Sequence, residues 1–221
     1  LDKLNYKWAN KLQHLSYGMV DLPSGKMKSR EGSVVDADEL ISSMIDKAKV
    51  ISDTLGKIND LVDSEKKQLY KTIALGALKY HILKVDPKKK ILFNPEESID
   101  FNGNTGPFIQ YTYARIKSIL NKNRNTTYEF NELKLAQKEK ELIILLCEFK
   151  NILKNSVKTL NPSLIANHIY EVVKLYNSYY QTHTILGNKN INSFRVYLSE
   201  KVAMQIDKSM GLLGISVPNR M

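Results

Sequence analysis

Asn102-Gly103-Asn104-Thr105-Gly106-Pro107-Phe108-Ile109-Gln110-Tyr111-Thr112-Tyr113-Ala114-Arg115-Ile116 is the stretch on which the architecture turns. Its first six residues, two glycines and a proline among short polar side chains, are the strongest turn-forming punctuation in the chain. Immediately afterwards the pattern becomes helical, with Phe108, Ile109, Tyr111, Thr112, Arg115, Ile116, Ile119 and Leu120 recurring at helical spacing. Pro107 suits a first turn, where its missing amide hydrogen has no helical partner to lose. The spacing therefore predicts a boundary between residues 1–105 and 106–221.

Downstream of that boundary the chain reads as helix almost throughout. Long apolar-periodic segments lie around Glu132 to Ser156, Leu164 to Gln181 and Ile191 to Met210; Asn161-Pro162-Ser163 resets the chain between the first two. Asn192 or Ser193 opens the last helix and Gly211-Leu212-Leu213-Gly214 closes it. Residues 106–221 are expected to form an all-α bundle with short links.

Upstream the elements are shorter and mixed. His14 to Val20 reads as a strand, Asp21-Leu22-Pro23-Ser24-Gly25 as a turn, and Ser33-Val34-Val35 as a second extended piece. Asp36 or Asp38 caps a helix carrying Leu40, Ile41, Met44, Ile45 and Ala48, expected to run to about Leu61. A second helix begins at Ser64 and buries Ile73, Ala74, Ala77 and Leu78; Tyr80 to Val85 is expected to continue as a strand before Asp86-Pro87. Lys88-Lys89-Lys90 reads as a solvated loop.

Between the first strand and the first helix lies Gly25-Lys26-Met27-Lys28-Ser29-Arg30-Glu31-Gly32. The bracketing glycines allow backbone conformations other residues resist, and Lys26, Lys28 and Arg30 supply charge for a polyphosphate. A solvated basic turn has the same composition, so its neighbours must decide.

Charge separates the two halves. Residues 1–105 carry 17 Lys and Arg against 15 Asp and Glu, whereas residues 106–221 carry 16 against 8. The excess in the second half favours a polyanionic partner through counterion release. A 43% hydrophobic content is ample for a packed core, and no apolar run approaches the roughly 20 residues that span a bilayer. Without a signal-peptide pattern at its start the chain reads as cytoplasmic, with no membrane partner. Leu1 in place of an initiator methionine points to a longer protein. Cys147, the single cysteine, sits in Leu142-Ile143-Ile144-Leu145-Leu146-Cys147 and is expected to be a buried thiol. His14, His81, His168 and His183 show neither zinc spacing nor a nucleophile partner and read as structural, so no metal site is expected.

Three segments in order resemble the arginyl-tRNA synthetases, class I aminoacyl-tRNA synthetases: HLSYGMV followed by GKMKSREG at 14–32, GNTGPFIQYTYARI at 103–116, and GLLGISVPNRM at 211–221. The first resembles the family's Ser-Tyr-Gly-Met-Val strand and Lys-Met-Ser-Lys-Ser-type loop, the second its passage from catalytic domain to anticodon-binding bundle, the third its chain terminus. The resemblance implies a mainly α fold. Residues 1–105 would be the C-terminal part of a class I catalytic domain, short strands plus helices, and 106–221 an all-α anticodon-binding bundle.

It further implies that Lys26, Met27, Lys28, Ser29 and Arg30 bind ATP, with Lys26, Lys28 and Arg30 stabilising charge as a carboxylate attacks the α-phosphate. Ser29 stands where the motif often has its second lysine, and the resemblance implies that another basic residue substitutes for it: Lys28, Arg30 or one outside these 221 residues. No His-Ile-Gly-His-type element is present, so the chain is expected to be inactive alone although its parent is an arginine–tRNA ligase. The parent's partners would be tRNA(Arg), ATP with Mg2+ and arginine, with no prosthetic group, acting as a monomer.

Tyr176-Asn177-Ser178-Tyr179-Tyr180 resembles the family's Phe-Asn-x-Phe-Tyr helix. Unpaired loop bases are held by aromatic stacking and edge hydrogen bonds. Ile169, Val172, Val173 and Tyr176 fit one buried stripe, leaving some of the tyrosines to its margin; of these Tyr180 is nominated for base stacking, with Asn177 as an edge reader. Asn192-Ser193-Phe194-Arg195 stands at the family's Asp-Ala-Leu-Arg element and nominates Arg195 for tRNA binding, a structural brace being its alternative. Met221 is nominated near the anticodon loop, and Arg115 as a brace at the domain junction. The competing reading of the whole chain is a non-catalytic basic helical RNA-binding module.

Overall fold

The computed structural model describes residues 1–23, 36–55, 58, 60–122, 134–186 and 193–221. The Gly25–Gly32 loop, with Lys26, Met27, Lys28, Ser29 and Arg30, lies outside the described residues, as do Ser33-Val34-Val35 and Asn192.

Two short 3-10 turns, Asp2–Leu4 and Ala9–Lys11, precede β1 (Val20–Asp21), which pairs in parallel with β2 (Ile91–Leu92). The expected strand from His14 is shorter than its composition implies: upstream of Val20 the chain is tied to the 87–91 segment by two bonds, Gly18 N–H to the Pro87 carbonyl (2.7 Å) and Ile91 N–H to the Met19 carbonyl (2.9 Å). Lys90 of the basic run forms an ion pair with Asp21, whose side chain is nearly buried, so that loop is not simply solvated.

Helix α1 (Ala37–Leu55) is opened by Asp36, whose carboxylate accepts the Asp38 amide (2.7 Å), and it ends before the expected Leu61. Helix α2 (Asp63–Leu83) absorbs most of the expected Tyr80–Val85 strand. The reason is packing: Ile73, Ala77, Tyr80 and His81 continue one buried helical stripe, and tertiary burial overrides the extended look of the sequence. A single turn, α3 (Pro95–Ser98), begins after Asn94, whose side chain accepts the Glu96 amide.

Helix α4 (Gly106–Asn121) starts at Thr105, whose hydroxyl accepts the Phe108 amide (3.2 Å) with Pro107 in the first turn. Helices α5 (Gln137–Thr159), α6 (Ser163–Thr182) and α7 (Ser193–Leu212) complete the bundle. In α5 the buried positions Leu142 and Phe149 are two turns apart, which turns Cys147 outward; the thiol is exposed, not buried.

Two apolar clusters organise these helices. One joins Leu22, Met44, Leu69, Ile73 and Phe93 with their neighbours; the other fills the bundle with Ile109, Ile116, Leu142, Ile169, Val172 and Ile206 among others. Full burial of each such side chain contributes roughly 1.5–3 kcal/mol. Helix α2 serves both, placing Ala74 and Ala77 in the first and Tyr80 in the second. Its crossing with α4 is backbone-close: a Cβ on Gly106 would collide with the Gly76 carbonyl. Beside that crossing the buried Gln110 donates to the carbonyls of Thr72 (3.1 Å) and Ser216 (2.8 Å), locking α4 to α2 and to the segment after α7.

Candidate nucleic-acid interface

Arg115 crosses from α4 to α6 and donates from Nη1 to Asn177 Oδ1 (2.6 Å). Its guanidinium carbon lies 4.9 Å from the ring centroid of Tyr111 and 5.2 Å from that of Tyr180, so the cation is flanked by two aromatic faces. The expected brace is thus inside the bundle, not at the domain junction. Asn177 in turn donates from Nδ2 to Thr112 Oγ1 (2.8 Å) and to the Val173 carbonyl (3.0 Å). With both amide hydrogens engaged, Asn177 orients Arg115 within this structure, and Thr112 and Arg115 join the site without having been singled out for it.

The tyrosines of α6 divide by helical phase. Tyr176 and Tyr179 are fully buried, whereas Tyr180 keeps 38% of its surface. Burial pushes the Tyr176 and Tyr179 phenols above their ordinary range, so both hydroxyls remain donors, to Ser199 Oγ (2.9 Å) and Glu139 Oε1 (3.0 Å) respectively. Tyr180 alone of the three presents a ring for stacking. Next to it, a groove of about 330 Å³ is lined by Ile119, Tyr180, His183, Thr184, Ile185 and Leu186.

Arg195 reaches the lining of this groove at Thr184. Its Nε donates to Glu139 Oε1 (3.0 Å) and its Nη1 to the Thr184 carbonyl (2.9 Å). Glu139 is 3% exposed and also accepts the Ala136 amide (2.8 Å). The only sequence signal for Glu139 is its position three residues into a helix, the spacing of a capping glutamate.

Met221 is placed elsewhere. It packs against the first apolar cluster, and its neighbour Arg220 forms an ion pair with Asp60 near the start of α2. The structure therefore brings Asn177, Tyr180 and Arg195 around one end of α6 and sets Met221 against the other cluster. The described flanks of the basic loop are anchored: Leu22 belongs to the first cluster on one side, and Asp36 caps α1 on the other.

The histidines do not form a site. His81 and His168 are buried, and desolvation holds both imidazoles below their usual range. His183 stacks on Tyr179 and His14 is exposed. Among the described residues, no group of three His, Cys, Asp or Glu side chains is arranged to hold a metal, and no helix is long and apolar enough to cross a membrane.

Comparison with known proteins gives two successive family matches along the chain. Residues 1–94 match the family model "tRNA synthetases class I (R), catalytic domain", and residues 109–221 match "DALR anticodon binding domain". The arginine–tRNA ligase of Flavobacterium psychrophilum is 56% identical over the whole chain, and that of Phocaeicola vulgatus 51%. The chain spans 37% and 38% of the length of these two relatives. Among solved structures, Thermus thermophilus arginyl-tRNA synthetase superposes with a TM-score of 0.84 at 26% identity, over 96% of this chain and 36% of that one. A free-standing RNA-binding module does not account for the catalytic-domain match. Mainly helical, with the end of a class I catalytic region leading into an anticodon-binding bundle, the chain belongs to the arginyl-tRNA synthetase family.

Proposed function

We propose that the chain works as the C-terminal part of an arginine–tRNA ligase, which activates arginine with ATP and transfers it to tRNA(Arg). The bundle from residue 106 onward grips the anticodon stem and loop, and the 25–32 loop contributes to the ATP site. The observation that carries this reading is the anticodon-binding match over 109–221, combined with the exposed Tyr180 ring against Arg115, which is itself held by Asn177. Stacking on Tyr180 and hydrogen bonding from the Arg115 fork suit an unpaired base, while surface lysines hold phosphates.

In the catalytic half, Lys26, Lys28 and Arg30 meet the ATP phosphates and stabilise the charge that builds on pyrophosphate as the bond to the α-phosphorus breaks. Met27 and Ser29 complete that loop. Mg2+ enters as the counterion of ATP. The work of the parent enzyme belongs to translation in the cytoplasm, and the protein acts as a monomer.

Binding of this chain to tRNA(Arg) transcripts with cognate and altered anticodons tests the reading. A clear preference for the cognate anticodon is expected; equal affinity for all of them would sink it. Arginine-dependent pyrophosphate exchange is expected to be absent from the 221 residues alone, because the other half of the nucleotide site is supplied by the remainder of the enzyme.

A further inference from the structure

We infer that Arg195 is a positioning residue for anticodon discrimination: it ties the Thr184 carbonyl to the buried Glu139 carboxylate and so fixes one wall of the groove beside Tyr180, without touching the base itself. The inference rests on the proposal that this face of the bundle reads the anticodon.

The charge of Arg195 is already engaged. Glu139 Oε1 accepts from both Arg195 Nε and the Tyr179 hydroxyl, at 3.0 Å each, and Oε2 accepts the Ala136 amide. A carboxylate that is 3% exposed and surrounded by donors holds its cation more firmly than solvent or a screened phosphate can. The same guanidinium also reaches the chain after α6: Nη1 donates to the Thr184 carbonyl (2.9 Å).

That segment needs the anchor. Helix α6 ends at Thr182, and residues 183–186 line the groove without belonging to a helix. His183 is held to the Tyr179 carbonyl, and Ile185 and Leu186 pack into the bundle core; the Thr184 carbonyl bond adds the tie that fixes the orientation of the peptide between them and so sets the wall. The same carboxylate holds Tyr179, immediately before Tyr180. One buried charge thus sets the stacking ring and the wall opposite it in register. A planar two-sided fork does this, and a single ammonium does not.

The test compares the unsubstituted chain with Glu139→Gln and with Glu139→Gln/Arg195→Ala, each titrated with cognate and anticodon-altered tRNA(Arg) transcripts over a range of salt. Glu139→Gln removes the buried charge that holds Arg195 and turns an amide NH2 towards the Ala136 N–H, so the single variant is expected to lose discrimination about threefold or more; full discrimination there overturns the inference. The double variant leaves no orphan charge and the same net charge. Its ratio of cognate to altered affinity is expected to fall about tenfold or more with the salt slope unchanged. A salt slope shallower by about 1, with equal losses for both transcripts, would assign Arg195 to a phosphate and overturn the inference. Preserved discrimination in the double variant overturns it too. An unsubstituted chain that fails to discriminate removes the anticodon reading itself, and this inference with it. Should the double variant not fold, Arg195→Lys is measured instead; it keeps the pair with Glu139 but loses the fork, and full discrimination there refutes the role.

Discussion

Gly106 faces the carbonyl of Gly76 at the crossing of α4 and α2, with no room for a side chain between them. The obstacle on the far side is backbone, which cannot rotate out of the way. Gly106→Ala is therefore expected to force the two helices apart and cost about 1–3 kcal/mol, read as a lower urea midpoint with an unchanged slope. A midpoint equal to that of the unsubstituted chain would show that the crossing is looser than described.

Tyr180 offers its ring to solvent while the neighbouring Tyr176 and Tyr179 are buried. Tyr180→Ala is expected to weaken binding of cognate tRNA by about 1–3 kcal/mol, the range of one lost base–aromatic stack, with a thermal midpoint close to that of the unsubstituted chain. Tyr179→Ala should do the opposite, lowering stability by about 3–5 kcal/mol through the cavity it leaves. Filter binding and thermal melts on the two variants separate the roles.

His81 and His168 should make the fold acid-sensitive. Burial lowers both pKa values below the ordinary 6.5, so on acidification the unfolded chain takes up protons before the folded one does. Stability is thus fully present above about pH 6.5 and declines as pH falls through that value towards the lowered folded-state pKa values. His81 Nε2 lies 3.2 Å from the Leu92 carbonyl and Nδ1 has no partner among the described residues, so a second ring proton would find no acceptor. Melting curves at pH 7.5 and 5.5 check this: the midpoint should drop, and drop less in His81→Gln, which cannot be protonated. A midpoint independent of pH over this interval would contradict it.

Cys147 is the chain's one thiol and lies on the outer face of α5. A colourless aromatic disulfide reagent should modify one thiol per chain at full native structure, without denaturant. Reaction only after unfolding would restore the buried thiol that the apolar run around it implies.

Much of this architecture was legible because it rests on local chemistry. Pro107 announces the first turn of α4, the pair Asp36 and Asp38 the start of α1, and the spacing of Ile169, Val172, Val173 and Tyr176 the buried face of α6. Errors arose where distant packing decided. Tyr80 is helical because its ring fills the bundle, with its hydroxyl 2.6 Å from Asn104 Oδ1 and 2.9 Å from the Ala166 carbonyl, a partner 86 positions away. The pairing of Arg195 with Glu139 spans 56 positions, and that of Arg115 with Asn177 spans 62. Residue type alone nominates such side chains for binding, and only the folded chain reveals which charges are already committed to one another.

The two halves of this sequence are separable on paper at residue 105 and inseparable in three dimensions. Helix α2, about 30 Å long at 1.5 Å per residue, is a common axle: its middle turns carry one apolar cluster and its last turn plugs the other. Gln110 pins that axle to α4. A bundle excised at residue 106 would lose Tyr80 from its interior and open a hole the size of an aromatic ring, whereas one begun at residue 63 would keep its plug. Tyr80, bonded to the Ala166 carbonyl of α6, sits one residue from His81, which meets the Leu92 carbonyl on the strand paired with β1, so a single turn of α2 touches both the bundle and the partner of the strand that leads towards the 25–32 loop.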